Sequence, residues 1–216
     1  MRVKYKSATE RAYEVLLLNQ TISVPINPKD IKLENIIIKI FSMQEWSKIN
    51  NIPIYELTCK GKCNDGYTQF YKKGNKQYAF IFYNEDNVTE RQRFTIAHEI
   101  GHIALGHKDL NNIANEKEAD TFASQLLLPH CILEKLVKCG KSVTESYLLN
   151  TFGLSKQACN ISLQNVGKKI DKQAATEYED IILEMFKNFI DNETKNTKYK
   201  YYEEDEDLEK ERSTWY

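Results

Sequence analysis

The sequence predicts an α+β fold in which a small mixed or antiparallel sheet packs on helices, with more helices following toward the C-terminus. Strand-like runs rich in Tyr, Phe and Ile fall between residues 36 and 83, and two of them form a predicted hairpin. After Asn84 the apolar residues recur at helical spacing instead. The chain has 216 residues, of which 41% are hydrophobic, so it can bury a sizeable core.

The N-terminal elements begin with a helix predicted over residues 6–19, whose apolar residues recur at helical spacing. Two prolines interrupt the chain after it, and a short helical turn is predicted over residues 29–34. A further helix is predicted at 43–50, among four strand-like runs at 36–41, 52–58, 67–71 and 77–83. The last two runs flank a polar turn containing a glycine, which is typical of a β-hairpin.

The helical half begins with a predicted helix over residues 89–106, with Thr89 as its N-cap. A second helix is predicted over residues 115–128 and ends at Pro129. Shorter helical segments are predicted as far as residue 169, followed by an amphipathic helix over 173–190.

We predict three regions along the chain. Residues 1–140 form the main domain, and residues 141–190 form a helical extension that contains a segment with a helix-turn-helix appearance, 144–168. Residues 191–216 contain nine acidic and five basic side chains and are predicted to be a disordered acidic tail.

Composition restricts the partners and the compartment. Thirty basic and 31 acidic residues leave a net charge of −1, which argues against a general nucleic-acid binder. No apolar run reaches the roughly 18–20 residues of a membrane span, and no signal-peptide pattern follows the basic N-terminus. The five cysteines are odd in number and irregularly spaced, which indicates a reducing compartment. We therefore expect a cytoplasmic protein.

The residues from His98 to His102 form the pattern H-E-x-x-H within the predicted helix 89–106. His98 and His102 are one helical turn apart, so both imidazoles can reach one ion, and Zn²⁺ accepts such nitrogen ligands. Glu99 is adjacent to the first ligand and can act on a metal-bound water as a general base. These two histidines and the glutamate predict a zinc hydrolase.

A third protein ligand is needed, because a catalytic zinc site holds three protein ligands and an open position. His107 is a weak candidate, because it follows His102 by five residues and the helix would point it away. Glu116 on the next helix is the better candidate, with Asp120 one turn later as acceptor for a ligand histidine's Nδ1–H. Glu118 is predicted to face solvent.

The stretch from Arg91 to His107, the pattern Glu116-x-x-Ala119-Asp120-x-Phe122-Ala123 and the run ending at Pro129 resemble the ImmA/IrrE metallo-endopeptidase family. The resemblance is close over residues 84–129 and loose before residue 66. It implies a zincin-like domain over residues 1–140 with a glutamate as third ligand, which supports Glu116. It also implies a protein substrate, namely a helix-turn-helix repressor or antitoxin, and a role in transcriptional regulation, often in mobile elements.

The residues that stabilise the oxyanion or contact substrate are left open by the sequence. The oxyanion candidates are Tyr67, Tyr78, Tyr83 and His107. Arg93, like Arg91, either touches substrate or fixes the strand–helix junction by ion pairing, and we favour ion pairing. We expect the strand 77–83 to edge the cleft, where an extended substrate can add as a further strand.

Two alternatives have less support. Cys59 and Cys63 could be half of a second zinc site, but no matching pair follows at a metal-like spacing. The alternative function is a non-catalytic zinc-containing regulatory or binding protein that uses the same cleft and docks a partner protein or DNA. The helix-turn-helix appearance of segment 144–168 would allow DNA binding or docking of a repressor, yet the segment has no arginine to read bases. Packing helices are the favoured interpretation of that segment. The sequence leaves the oligomeric state open.

Overall fold

The computed structural model describes residues 3–20, 23–58, 64–107, 112–165 and 176–195, which contain helices and a small sheet. The strands are β1 (Ile37–Ser42), β2 (Gly66–Lys73) and β3 (Lys76–Tyr83). The helices are α1 (Tyr5–Leu18), α2 (Met43–Asn50), α3 (Ile54–Leu57), α4 (Thr89–Ala104), α5 (Ile113–Leu127), α6 (His130–Lys138), α7 (Glu145–Phe152), α8 (Lys156–Asn165) and α9 (Thr176–Met185). The predicted α+β class is confirmed.

The sheet is mixed, with the strand order β1–β3–β2. β2 and β3 form the predicted antiparallel hairpin, in which Thr68 pairs with Ile81. β1 pairs in parallel with the other side of β3, with Ile40 opposite Ile81. β3 is therefore the central strand, so the expectation that residues 77–83 edge the cleft is wrong, and β2 is an edge strand instead.

The two faces of β3 belong to different clusters of buried side chains, because successive residues of a strand point to opposite faces. Ala79 and Ile81 belong to the main core, together with Ile96 and Ile100 of α4. On the opposite face, a smaller cluster lies beneath α2 and α3 and consists of Met43, Leu57, Tyr67 and Phe82. The sheet is thus enclosed between α4 on one side and the α2–α3 segment on the other.

The main core continues from the sheet side into the C-terminal helices. Leu16 of α1, Leu148 of α7 and Ile182 of α9 belong to the same cluster and are fully buried. Helices on both sides of residue 140 thus share one core. The division into regions 1–140 and 141–190 stays a prediction.

One predicted element has the wrong type, because the run 52–58 contains the short helix α3 rather than a strand. Pro53 occupies the N-cap of α3, a position where its missing N–H costs nothing. A short apolar run does not by itself distinguish strand from helix.

The predicted turn over 29–34 is a 3₁₀ helix over Pro28–Asp30. The N-cap of α4 is Val88 rather than Thr89.

The other helical predictions agree with the structure to within a few residues where it describes them, including α2 over Met43–Asn50, whereas the predicted helical residues 166–169 and 173–175 lie outside the described residues. Residues 187–195 are helical and Thr194 is buried, so the predicted tail begins inside a helix, and residues 196–216 lie outside the described residues. Cys59 and Cys63 also lie outside them. No helix among the described residues has the length and apolar character of a membrane crossing.

Candidate metal centre

The candidate site forms where α4 and α5 pack closely against each other. Gly101 of α4 faces α5, and a Cβ placed on it would lie 3.2 Å from the carbonyl oxygen of Ala119 and 3.0 Å from Cδ1 of Phe122. The absence of a side chain at Gly101 thus allows the two backbones to approach. As a result, the first turns of α5 carry Glu116 to the face of α4 that bears the two histidines.

His98, His102 and Glu116 form a group whose ligand atoms all lie within 4.8 Å of one another. The Nε2 atoms of the two histidines are 2.9 Å apart. The Glu116 carboxylate lies 3.3 Å from His98 Nε2 and 3.4 Å from His102 Nε2. Ligands held at 2.0–2.1 Å around a tetrahedral ion are about 3.3–3.4 Å apart, which matches the two distances to the Glu116 carboxylate, whereas the two imidazoles lie closer together than this.

The opposite nitrogen of each ring also has a partner. His98 Nδ1 lies 2.9 Å from Oδ1 of Asp120, which can only accept, so the proton of His98 lies on Nδ1. His102 Nδ1 lies 3.0 Å from Nδ1 of His107. If His102 also carries its proton on Nδ1, both rings present a lone pair at Nε2 toward the Glu116 carboxylate. Such a convergence of lone pairs and negative charge suits a cation.

Glu99 lies on the inner side of α4 and is 7% exposed. Its Oε2 accepts a hydrogen bond of 2.7 Å from the hydroxyl of Thr68 on β2. β2 comes this close to α4 because it begins at Gly66, where a Cβ would lie 2.5 Å from Cγ2 of Thr95. The edge strand thus fixes the orientation of the carboxylate next to the histidine pair.

Burial and neighbouring charges shift the pKa values of Glu99 and of the two histidines. Burial raises the pKa of Glu99, and the hydrogen bond from Thr68 opposes this only in part. Burial, followed by the nearby imidazoles of His98 and His107, lowers the pKa of His102 to about 3. Burial also lowers the pKa of His98, but the Asp120 hydrogen bond and the adjacent carboxylates outweigh it and leave that pKa raised. The neutral imidazole that a metal needs is therefore strongly favoured at His102.

Glu118 does not face solvent as predicted, because its side chain is only 13% exposed. Its Oε2 lies 3.3 Å from Nε2 of His107, and its Oε1 accepts a hydrogen bond of 2.8 Å from the backbone N–H of Lys4. The start of α1 packs close enough to α5 to supply that donor, a long-range contact that helical spacing does not reveal.

The three possible oxyanion or substrate contacts, Tyr83, His107 and Arg93, lie in different places. The Tyr83 hydroxyl accepts a hydrogen bond of 2.8 Å from Lys29 Nζ. His107 touches His102 on the Nδ1 side, which is turned away from Glu116. Arg93 donates to the carbonyl oxygens of Ile26, Phe152 and Gly153 and so ties the α7–α8 turn to α4.

Arg93 thus makes backbone hydrogen bonds where the sequence favoured an ion pair. Arg91 does form the expected ion pair: its guanidinium binds both carboxylate oxygens of Asp65 just before β2, at 2.8 and 2.7 Å.

Of the other oxyanion candidates, Tyr67 is stacked on Phe82 beneath α2, and Tyr78 lies against Tyr71 and Phe80.

Sequence reasoning missed the contact of Thr68 with Glu99 and that of His107 with His102. Thr68 is 31 residues from Glu99, and only the placement of β2 beside α4 brings them together. A local signal did exist for His107, namely Gly106 directly after the helix. Glycine in that position commonly turns the chain back onto the last helical turn.

Comparison with known proteins gives one family match. The family model described as the IrrE N-terminal-like domain, Peptidase_M78, matches residues 52–164. This range contains β2, β3, α4 and α5, and therefore every residue of the candidate site. No curated protein and no solved structure matches the chain.

Proposed function

The chain belongs to the IrrE N-terminal-like family, Peptidase_M78, which matches more than half of its length, and we propose that it is a zinc-dependent endopeptidase that cleaves a regulatory protein. Membership supports a metallopeptidase-type activity on a protein substrate. The choice of zinc, the roles of individual residues and the regulatory substrate are our proposals.

The observation that carries the proposal is the convergence of His98, His102 and Glu116, with Glu99 adjacent in the chain. Two imidazoles and one carboxylate are the donor set of many catalytic zinc sites, which leave a fourth position open for water or substrate. Asp120 supports this assignment, because it orients His98 with its Nε2 toward Glu116.

When bound, zinc lowers the pKa of a coordinated water and polarises the scissile carbonyl. We assign the proton transfers to Glu99. Its carboxylate takes a proton from the attacking water and delivers it to the leaving amine. Burial raises the pKa of Glu99, which makes the carboxylate a better proton acceptor than an exposed glutamate. Thr68 holds one carboxylate oxygen, and we assign the proton transfer to the other.

We propose that the substrate backbone lies along β2 rather than β3. β2 is at the edge of the sheet, and its Thr68 contacts the proposed base Glu99. An edge strand offers backbone N–H and C=O groups to an extended peptide. A peptide paired with β2 would therefore pass next to the proposed catalytic groups.

The identity of the substrate rests on the resemblance to ImmA/IrrE proteins. From it we infer that the substrate is a helix-turn-helix repressor or antitoxin, and that cleavage changes transcription, as in mobile elements. The odd number of cysteines supports a reducing, cytoplasmic setting for this role.

The test uses the wild-type protein, His98→Ala and Glu99→Gln. Metal content is measured first, and each protein is then incubated with the helix-turn-helix protein encoded next to its gene, with products identified by mass spectrometry. We expect wild type to bind one zinc and cleave its partner. His98→Ala should lose the metal and the activity, because it removes one ligand, whereas Glu99→Gln should keep zinc and lose cleavage.

Three results would count against the proposal. Full cleavage by Glu99→Gln would remove Glu99 from the chemistry. Zinc retained by His98→Ala would place the metal elsewhere. Zinc-dependent binding of the partner without cleavage by wild type would favour the non-catalytic alternative.

A further inference from the structure

A chain of polar contacts extends from His102 away from the candidate metal centre. His102 Nδ1 lies 3.0 Å from His107 Nδ1, and His107 Nε2 lies 3.3 Å from Glu118 Oε2. The other oxygen of Glu118 accepts the backbone N–H of Lys4 at 2.8 Å. His102 is thus connected through two side chains to Lys4, the N-cap residue of α1.

This chain is shielded from solvent. The side chains of His102, His107 and Glu118 are 3%, 7% and 13% exposed. Buried polar groups need partners within the protein, because an unpaired one costs about 1–3 kcal/mol. Each of these groups finds its partner in the next member of the chain.

The backbone fixes His107 in the same place. The N–H of His107 donates to the carbonyl of His102 at 3.0 Å, and that of Gly106 donates to the carbonyl of Ile103 at 3.2 Å. This pair of bonds is the Schellman motif that closes a helix C-terminus. The ring and the backbone of His107 therefore both contact His102, so the imidazole has little freedom to leave.

The contacts permit one arrangement of protons if His102 binds metal through Nε2. The proton of His102 is then on Nδ1 and is donated to Nδ1 of His107, which leaves the His107 proton on Nε2. That Nε2–H points to Glu118, which can only accept. Every donor thus meets an acceptor, and the lone pair of His102 is directed at the metal position.

We propose that His107 and Glu118 are positioning residues that set the tautomer and orientation of His102 for metal binding; this role rests on the proposed function. His107 contacts the Nδ1 side of His102, which is turned away from Glu116, so it does not face the candidate metal position. Such outer partners of a ligand histidine typically contribute a factor of about 10–100 in metal affinity.

The test measures zinc affinity by competition with a chromophoric chelator, together with the melting temperature of the metal-free protein. His107→Leu removes the acceptor and should weaken zinc binding by about 10–100-fold. His107→Asn places an amide oxygen close to the position of Nδ1 and should recover most of the affinity. Glu118→Gln removes only the charge and should give an intermediate loss. His130→Asn changes a histidine outside the site and should bind like wild type.

Wild-type affinity in a folded His107→Leu protein would overturn the role of His107. An equal loss of zinc affinity in His107→Leu and His107→Asn would also overturn it. That result would indicate a general packing defect rather than the loss of the hydrogen-bond acceptor. If His107→Leu does not fold, Glu118→Gln decides, and unchanged affinity there overturns the proposal. If wild type binds no zinc, the proposed function fails and the role of His107 and Glu118 fails with it. The results with the variants, in contrast, test that role alone.

Discussion

At the scale of single residues, the two candidate ligand histidines are held by different chemistry. His98 is oriented by Asp120, a carboxylate whose side chain is 57% exposed. His102 contacts His107, an imidazole that is itself buried. Water can replace the exposed Asp120 carboxylate as the hydrogen-bond acceptor, whereas the His107 imidazole is buried and its backbone N–H is bonded to His102. We therefore expect the two outer partners to respond differently to substitution.

Asp120→Asn tests the exposed partner. The amide oxygen can still accept the Nδ1–H of His98, but the negative charge that makes the imidazole a better ligand is lost. We expect zinc affinity to fall by about tenfold, the lower end of such effects. Chelator competition measures the change. Asp180→Asn, which removes an exposed charge from α9, is the matched control, and an equal loss in both variants would contradict a specific role for Asp120.

Much of the candidate site was predictable from spacing within helices. The i, i+4 spacing of His98 and His102, and of Glu116 and Asp120, places each pair on one helix face, and the structure brings these faces together. Thr68 was not predictable, because its contact with Glu99 depends on where an edge strand lies against α4. Helical periodicity carries no information about such a tertiary contact.

At the scale of elements, the distance between α4 and α5 controls the donor geometry. His98 and His102 belong to α4, Glu116 belongs to α5, and Gly101 lies at the contact between the helices. A larger side chain at Gly101 would have to displace Phe122 or the backbone at Ala119. The donor atoms would then separate, even though no ligand had been changed.

The pair Gly101→Ala and Gly101→Val tests this spacing. Overpacking typically costs about 1–3 kcal/mol, while alanine gains up to about 1 kcal/mol of helix propensity over glycine. We expect Gly101→Val to lower both the free energy of unfolding and the zinc affinity, with a smaller effect for alanine. Urea unfolding and chelator competition measure the two effects. Unchanged zinc affinity in a destabilised Gly101→Val protein would show that helix spacing does not govern the site.

Elements were predictable where a pattern is long, and unreliable where it is short. The apolar period of α4 and α5 extends over several turns, and both helices occur near the predicted positions. The run 52–58 offers too few residues to distinguish the helix α3 from a strand. The central position of β3 depends on parallel pairing with β1, which is about 40 residues distant in the chain, and no local pattern encodes it.

At the scale of the whole molecule, the candidate site and the C-terminal helices depend on one core. Ile100 of α4 and Ile182 of α9 are both completely buried in the same cluster. We therefore expect a loss of packing in α9 to affect the helix that carries both histidines. Independent unfolding of residues 141–190 would require this cluster to divide.

Adjacent isoleucines in α9 allow a matched test of that coupling. Ile182 is fully buried whereas Ile181 is 52% exposed, so the same substitution can be made inside and outside the core. Ile182→Ala should lower the free energy of unfolding by about 2–5 kcal/mol. Ile181→Ala should change it by less than about 0.5 kcal/mol.

Two probes, circular dichroism and zinc release, should report the same transition for each protein, and Ile182→Ala should shift both midpoints together. If α4 and α9 belong to one cooperative unit they must unfold together, because unfolding of α9 would expose the core that α4 shares. Zinc release that keeps its wild-type midpoint while helicity is lost early would instead identify residues 141–190 as a separate domain.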